Sequence, residues 1–250
     1  MNFGKFLLAA ILGVFLSAAL AQNTPTSANS PFVKIPEGKL AYEVHKVGRP
    51  APTIMIGHGC DGVKKDHLDE YVKRALAWGY NAIVVDSWTP RNITGTCKGQ
   101  KPWYSPSDRM DEFYRIADIV RQEPWHRGSF GYVGFSHGGS LGLNLAGDAR
   151  PNTFAAIVSY YPNCAEYMVP RRQPKLDILV HFGGRDTWTP HEKCNDIKTI
   201  AEKEFHPNAT HSFDVNRATR EFLGENLEHD PAATARAFER TQKFLSERLK

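Results

Sequence analysis

From its fortieth residue onward the chain alternates short apolar runs with longer segments in which apolar residues recur every three or four positions. The runs Leu40 to Val44, Thr53 to Ile56, Ala82 to Val85, Gly131 to Gly134, Ala156 to Ser159 and Ile178 to Phe182 are too short for helices. Several are continuous rather than alternating, the pattern of strands buried on both faces. Helices are predicted over about Asp66 to Trp78, Pro106 to Arg121, His137 to Gly147, Pro190 to Glu204 and Pro231 to Leu249. In the last, Ala235, Phe238, Phe244 and Leu245 fall on or near one stripe while Arg236, Glu239 and Lys243 lie elsewhere, so this helix is expected to cover a sheet. Such alternation predicts an α/β fold: a mostly parallel sheet with helices on both faces, whose ligand sites gather at the carboxyl ends of the strands.

The first 21 residues break this rhythm. Lys5 is their only charge, Phe6 to Leu20 is almost wholly apolar, and Ala19-Leu20-Ala21 supplies small residues before Gln22. This reads as a secretory signal peptide over residues 1–21. A membrane anchor is disfavoured because the apolar stretch, about 15 residues, falls short of the roughly 20 that span a bilayer. Residues 22–31 are polar and contain proline, the composition of a disordered lead-in, and residues 32–250 are expected to form one domain. Composition changes little in this picture: 41% hydrophobic and 23% charged residues are ordinary for a globular protein. A net charge of +4 spread without a polybasic block argues against nucleic acid or an anionic membrane as partner. A periplasmic or extracellular monomer is expected.

Export determines how the four cysteines are read, because an oxidising compartment favours disulfides. Cys60, Cys97, Cys164 and Cys194 contain no Cys-x-x-Cys pair, and no zinc-helix spacing surrounds Cys194, so no metal site is expected. Three pairings are possible in principle. The order of elements favours Cys60 with Cys97 and Cys164 with Cys194, since it puts each pair on neighbouring loops. The first pairing would order the long irregular stretch from Ser87 to Tyr104.

The strongest chemical signal is Val133-Gly134-Phe135-Ser136-His137-Gly138-Gly139, a strand passing through a Gly-x-Ser-x-Gly turn into a helix. In α/β hydrolases such a turn exposes the serine hydroxyl, and its glycines let strand and helix approach. Serine needs a base, and the base needs an acid to hold its tautomer; in this fold they follow in the order serine, acid, histidine. Asp186, just past the strand that ends at Phe182, is the candidate acid, with Asp86 as rival. His211, in a later loop, is the candidate base, with His206 as alternative. The oxyanion donors are expected to be the backbone N–H groups of His137 and of Cys60, the latter in the loop Gly57-His58-Gly59-Cys60-Asp61-Gly62. The His137 side chain reads as a pocket wall or a supporting group. Trp88, Trp103, Tyr160 and Tyr161 are candidates for an apolar substrate wall, and Arg91 for attracting an acidic substrate.

Together, His58-Gly59-Cys60-Asp61-Gly62, Gly79-Tyr80, Asp86-Ser87-Trp88-Thr89-Pro90-Arg91, the Ser136 turn, Gly184-Arg185-Asp186 and His211-Ser212-Phe213 resemble the dienelactone hydrolase family of the α/β hydrolases. The resemblance covers most of the mature chain and implies a small single-domain hydrolase without a large cap; the short stretch between Tyr160 and Lys175 agrees. The enzyme that names the family carries cysteine at the elbow. Ser136 therefore shifts the expected substrate from dienelactone to small esters or lactones, cleaved through an acyl-enzyme without a cofactor. A peptidase or thioesterase would use the same residues, and an inactive binding protein is the alternative of another class.

Overall fold

The computed structural model describes Met1 and residues 40–250, except 99, 149, 151–152, 170–175, 196 and 198–201. Apart from Met1, the expected signal peptide at 1–21 and lead-in at 22–31 lie outside the described residues. Among the described residues no helix is long and apolar enough to cross a membrane.

Seven strands form one sheet: β1 (Ala41–His45), β2 (Ala51–Gly57), β3 (Asn81–Asp86), β4 (His126–Phe135), β5 (Phe154–Tyr160), β6 (Ile178–Gly183) and β7 (Glu202–His206). Their spatial order is β1-β3-β2-β4-β5-β6-β7. Only the pairing of edge strand β1 with β3 is antiparallel. The continuous apolar runs have a simple cause, since each face of the sheet is covered. Ile54, Ile56, Val133 and Val158 pack beneath α1 (Lys65–Ala77) and the terminal helix α4 (Pro231–Arg248). Met55, Ile83, Tyr132 and Ile157 pack beneath α2 (Met110–Val120) and α3 (His137–Gly147). A hairpin of β8 (Arg220–Phe222) and β9 (Glu225–Leu227) stands apart from the sheet. Helix α4 begins at a cap in which the Asp230 carboxylate accepts from the Ala233 N–H at 3.0 Å, with Pro231 in the first turn.

The structure departs from the expected pattern in three places. The segment predicted as a helix from Pro190 to Glu204 instead has a short 3-10 turn at His191–Cys194 and the strand β7 from Glu202. Charged residues hid that strand: Glu204 is buried on it because Arg236 and Arg240 of α4 reach across to its carboxylate. Helix α2 starts only at Met110, after a separate 3-10 turn at Pro106–Arg109. In α4 the buried stripe runs through Ala233, Ala237, Phe238, Thr241, Phe244 and Leu245, whereas Ala235 is exposed.

The turn after β4 tolerates no added carbon. A Cβ on Gly138 would sit 2.2 Å from the carbonyl oxygen of Gly57, and one on Gly134 would sit 2.3 Å from that of Gly138. Backbone cannot yield as a side chain does. Gly138→Ala is expected to lower stability by about 3 kcal/mol or more, read as a lower urea midpoint; an unchanged midpoint would contradict this packing.

Candidate active site

Strand β4 delivers Ser136 to the carboxyl edge of the sheet, and α3 starts on the next residue. Its backbone is held at φ 51 and ψ −111, a left-handed value that a residue with a Cβ adopts only under constraint. The constraint is visible: the Ser136 N–H donates to the Tyr160 carbonyl at 2.9 Å, and its own carbonyl accepts from the Ser140 N–H at 2.9 Å.

The loops after β6 and β7 bring two further side chains to this turn. His211 Nδ1 lies 2.8 Å from Asp186 Oδ2, and His211 Nε2 lies 3.0 Å from Ser136 Oγ. The carboxylate selects the tautomer with the proton on Nδ1, which leaves Nε2 to accept from the serine hydroxyl. Asp186 Oδ1 accepts from the backbone of Trp188 and Thr189, and Oδ2 accepts from the Thr189 hydroxyl at 2.8 Å. Burial alone would raise the Asp186 carboxyl, but the adjacent His211 and these donors hold it below the ordinary carboxylate range.

Asp86 and His206 are not brought to the serine. Asp86 caps its own turn, accepting from the Trp88 and Thr89 N–H groups and the Thr89 hydroxyl. His206 is buried against His181, with their facing ring nitrogens 3.2 Å apart. The loop after β2 passes beside Ser136, for a Cβ on Gly59 would lie 3.8 Å from Ser136 Cβ. Cys60 in that loop is bonded to Cys97, and Cys164 is bonded to Cys194. The Cys60 carbonyl accepts from the Thr96 N–H at 2.8 Å and from the Trp88 indole at 3.0 Å. The His137 ring is buried, and burial beside the Arg109 guanidinium pushes its pKa down to about 3.

Two clefts meet at Ser136. One, of about 190 Å³, is lined by His67, Phe135, Tyr161, Arg220 and Phe222. The other, of about 420 Å³, is lined by Trp103, Tyr167, Met168 and Lys193. Cys60, Ser136 and Trp188 border both. Two expected wall residues, Trp88 and Tyr160, and the expected charge contact Arg91 lie elsewhere. Trp88 is 2% exposed and lines neither cleft, because His58, Tyr104 and His137 enclose its ring. Tyr160, the last residue of β5, turns toward α4, where its hydroxyl meets Thr241 Oγ1 at 2.8 Å. Arg91 faces inward to Glu112 at 2.6 Å and to the Ser87 carbonyl, so it cannot meet a substrate. Tyr161 does line the first cleft: its ring centre is 4.6 Å from that of His211, and its hydroxyl donates to buried Asp214 at 2.7 Å.

Trp188, Arg220 and Phe222 have no counterpart in the sequence reading. A signal existed for Trp188, since Asp186-Thr187-Trp188-Thr189 repeats the Asp86-Ser87-Trp88-Thr89 pattern; the hairpin carrying Arg220 and Phe222 was too short and polar to register.

A mostly parallel sheet with a strained serine between strand and helix, and an acid and a histidine from later loops, defines an α/β hydrolase. The sequence model of the Dienelactone hydrolase family matches residues 40–249, and the chain belongs to that family. It is a carboxylic ester hydrolase. No curated protein matches the chain significantly. Among solved structures, a dienelactone hydrolase-like promiscuous phosphotriesterase from metagenomic libraries aligns with a TM-score of 0.64 at 18% identity, over 85% of this chain and 100% of its own. Est1E from Butyrivibrio proteoclasticus, with ferulic acid bound, aligns at 0.62 and 14% identity, over 84% and 95%. The carboxylesterase Cest-2923 from Lactobacillus plantarum aligns at 0.61 and 12% identity, over 83% and 92%. At such identities the likeness concerns the fold.

Because the Asp186 carboxyl lies lower in the folded chain than in the unfolded one, its ionised form adds stability that is complete above the unfolded-state pKa and lost as pH falls through the folded-state value. Wild type is expected to exceed Asp186→Asn in stability by roughly 1–3 kcal/mol between about pH 5 and pH 7. That margin should shrink toward about pH 3. Urea midpoints across the range measure it, and a margin that grows on acidification would refute the account.

Proposed function

We propose that the protein is an exported serine esterase that cleaves small carboxylic esters or lactones by acyl transfer to Ser136. The observation that carries this reading is the hydrogen-bonded chain from Asp186 through His211 to Ser136, with separations of 2.8 and 3.0 Å. His211 Nε2 takes the hydroxyl proton as Oγ attacks the carbonyl carbon, and Asp186 stabilises the imidazolium that forms. The backbone N–H groups of Cys60 and His137 receive the oxyanion, aided by the amino end of α3. Collapse expels the alcohol, protonated by His211, and leaves an acyl-enzyme. Water, deprotonated by the same nitrogen, then releases the acid and regenerates the serine.

The clefts on either side of Ser136 support a substrate with an acyl arm and an alcohol arm. Arg220 takes over the role expected of Arg91: it borders the first cleft, and among the described residues no carboxylate lies within ion-pairing distance of it. This favours esters that carry a negative charge. Both disulfides support an oxidising compartment.

Ser136→Ala is expected to lower ester turnover by at least about 10⁴-fold and to abolish labelling by a fluorophosphonate, with a nearly unchanged Tm. Retention of most turnover would sink the assignment. Arg220→Met should raise KM for a carboxylate-bearing p-nitrophenyl ester by about tenfold and leave that for the neutral analogue unaltered. Equal effects on both esters would remove the charge argument.

A further inference from the structure

Arg109, the last residue of the 3-10 turn before α2, has none of its surface in water. The turn aims it inward: the Ser105 N–H donates to the Asp108 carboxylate at 2.7 Å in a reciprocal capping box, closing the turn just ahead of it. Its Nε donates to Ser87 Oγ at 2.8 Å. A single nitrogen, Nη1, reaches both the His58 carbonyl at 2.9 Å and His137 Nδ1 at 3.1 Å. The guanidinium also lies 5.0 Å from the centre of the Trp88 ring.

Among the described residues no carboxylate lies within ion-pairing distance of this cation, and Glu112 and Asp86 act on it only from further away. Glu112 is engaged by Arg91 at 2.6 Å, and among the described residues Arg109 Nη2 has no hydrogen-bond partner. Keeping an unpaired charge out of water is costly, and an apolar side chain of similar volume would fill the space at less expense. The retained charge therefore calls for a purpose beyond packing.

Its two neighbours suggest that purpose. His58 lies two residues before Cys60, and His137 follows Ser136, so one nitrogen ties together the two segments that carry the proposed oxyanion donors. The same cluster grips the loop again: the Ser87 N–H donates to His58 Nε2 at 3.0 Å, His58 Nδ1 donates to the Gly59 carbonyl at 2.7 Å, and Trp88, beneath the cation, holds the Cys60 carbonyl. On the other segment, His137 Nε2 donates to the Tyr104 carbonyl at 3.0 Å while Nδ1 accepts from Arg109, so the ring is fixed by both nitrogens. Both imidazoles are held neutral by burial and by the adjacent guanidinium.

We infer that Arg109 is a positioning residue of the oxyanion site: it sets the separation of the Cys60 and His137 N–H donors, and its uncompensated charge is balanced when the oxyanion forms. Negative charge then appears on donors attached to the very segments that the cation holds. The inference rests on the serine-esterase reading above.

The test compares wild type, Arg109→Met and Arg109→Lys, with rates expressed per site titrated by a fluorophosphonate, so that misfolded protein does not enter the comparison. Arg109→Met is expected to lose about 100-fold in kcat, with KM within about twofold of wild type. Its affinity for a boronic acid, whose serine adduct is tetrahedral and anionic, should fall by the same factor as kcat/KM. Arg109→Lys, which keeps a charge and several donors, should recover to within about tenfold of wild type. A purely structural role would lower Tm and the titrated fraction and leave kcat per site and boronic acid affinity unmoved, and that result overturns the inference. If Arg109→Met yields no titratable protein, Arg109→Lys decides alone: matched losses of about fivefold or more in kcat and boronic acid affinity support the inference, and unchanged values overturn it. Failure of wild type to label would instead remove the esterase reading, and this inference with it.

Discussion

A serine with φ 51 must be held there by its surroundings, and much of this molecule can be understood as the holding. Gly134 and Gly138 give up their side chains so that β4 and α3 meet closely. The backbone of Ser136 is bonded on one side to β5 and on the other to the first turn of α3. The parallel order of β2, β4, β5, β6 and β7 then sets the loops that carry Gly59, Ser136, Asp186 and His211 along one edge. Strain at the turn is sustained because sheet, helix and loops all oppose its relaxation.

Two buried charges of opposite sign flank this turn. Arg109 lies beneath the loop after β2 and beside His137. Asp214 lies beneath the first cleft and accepts from Tyr71 at 2.6 Å, Tyr161 at 2.7 Å and His67 at 2.8 Å. Burial works to raise the Asp214 carboxyl, yet His67 and the two hydroxyls hold it below the usual range, so it stays ionised. Through Tyr161, whose backbone also has a positive φ, this carboxylate steadies the ring that packs on His211. Acid and cation thus hold different parts of the site, one through the ring packed on His211 and one through the loop that carries His58 and Cys60.

The disulfides belong to the same scheme. Cys60–Cys97 anchors the loop after β2 to the long irregular stretch that supplies Trp88, Thr96 and Tyr104, while Cys164–Cys194 joins the segments that follow β5 and β6. Each closes a loop over the carboxyl edge, where the chain has few regular backbone bonds to order it. Cross-links there restrict the unfolded chain and limit how far the site's walls can separate.

By itself the sequence determined the sheet strands β1 to β6, three of its long helices and the strand-to-helix turn at Ser136, because these depend on local periodicity and on a turn that few residues can make. Strand β7 escaped it, since a charged edge strand is recognisable only once Arg236 and Arg240 are seen to neutralise Glu204. Chain order already favoured Asp186 over Asp86, but what brings only one of two like turns to the histidine is the tertiary structure. Both head the same Asp-x-Trp-Thr turn, and only the order of strands decides which turn lies beside His211. Likewise Trp88, Tyr160 and Arg91 read as cleft residues by type and position, yet each is turned inward by partners distant in sequence. Side-chain direction at a loop or strand end is decided by what packs against it, and no local pattern encodes that.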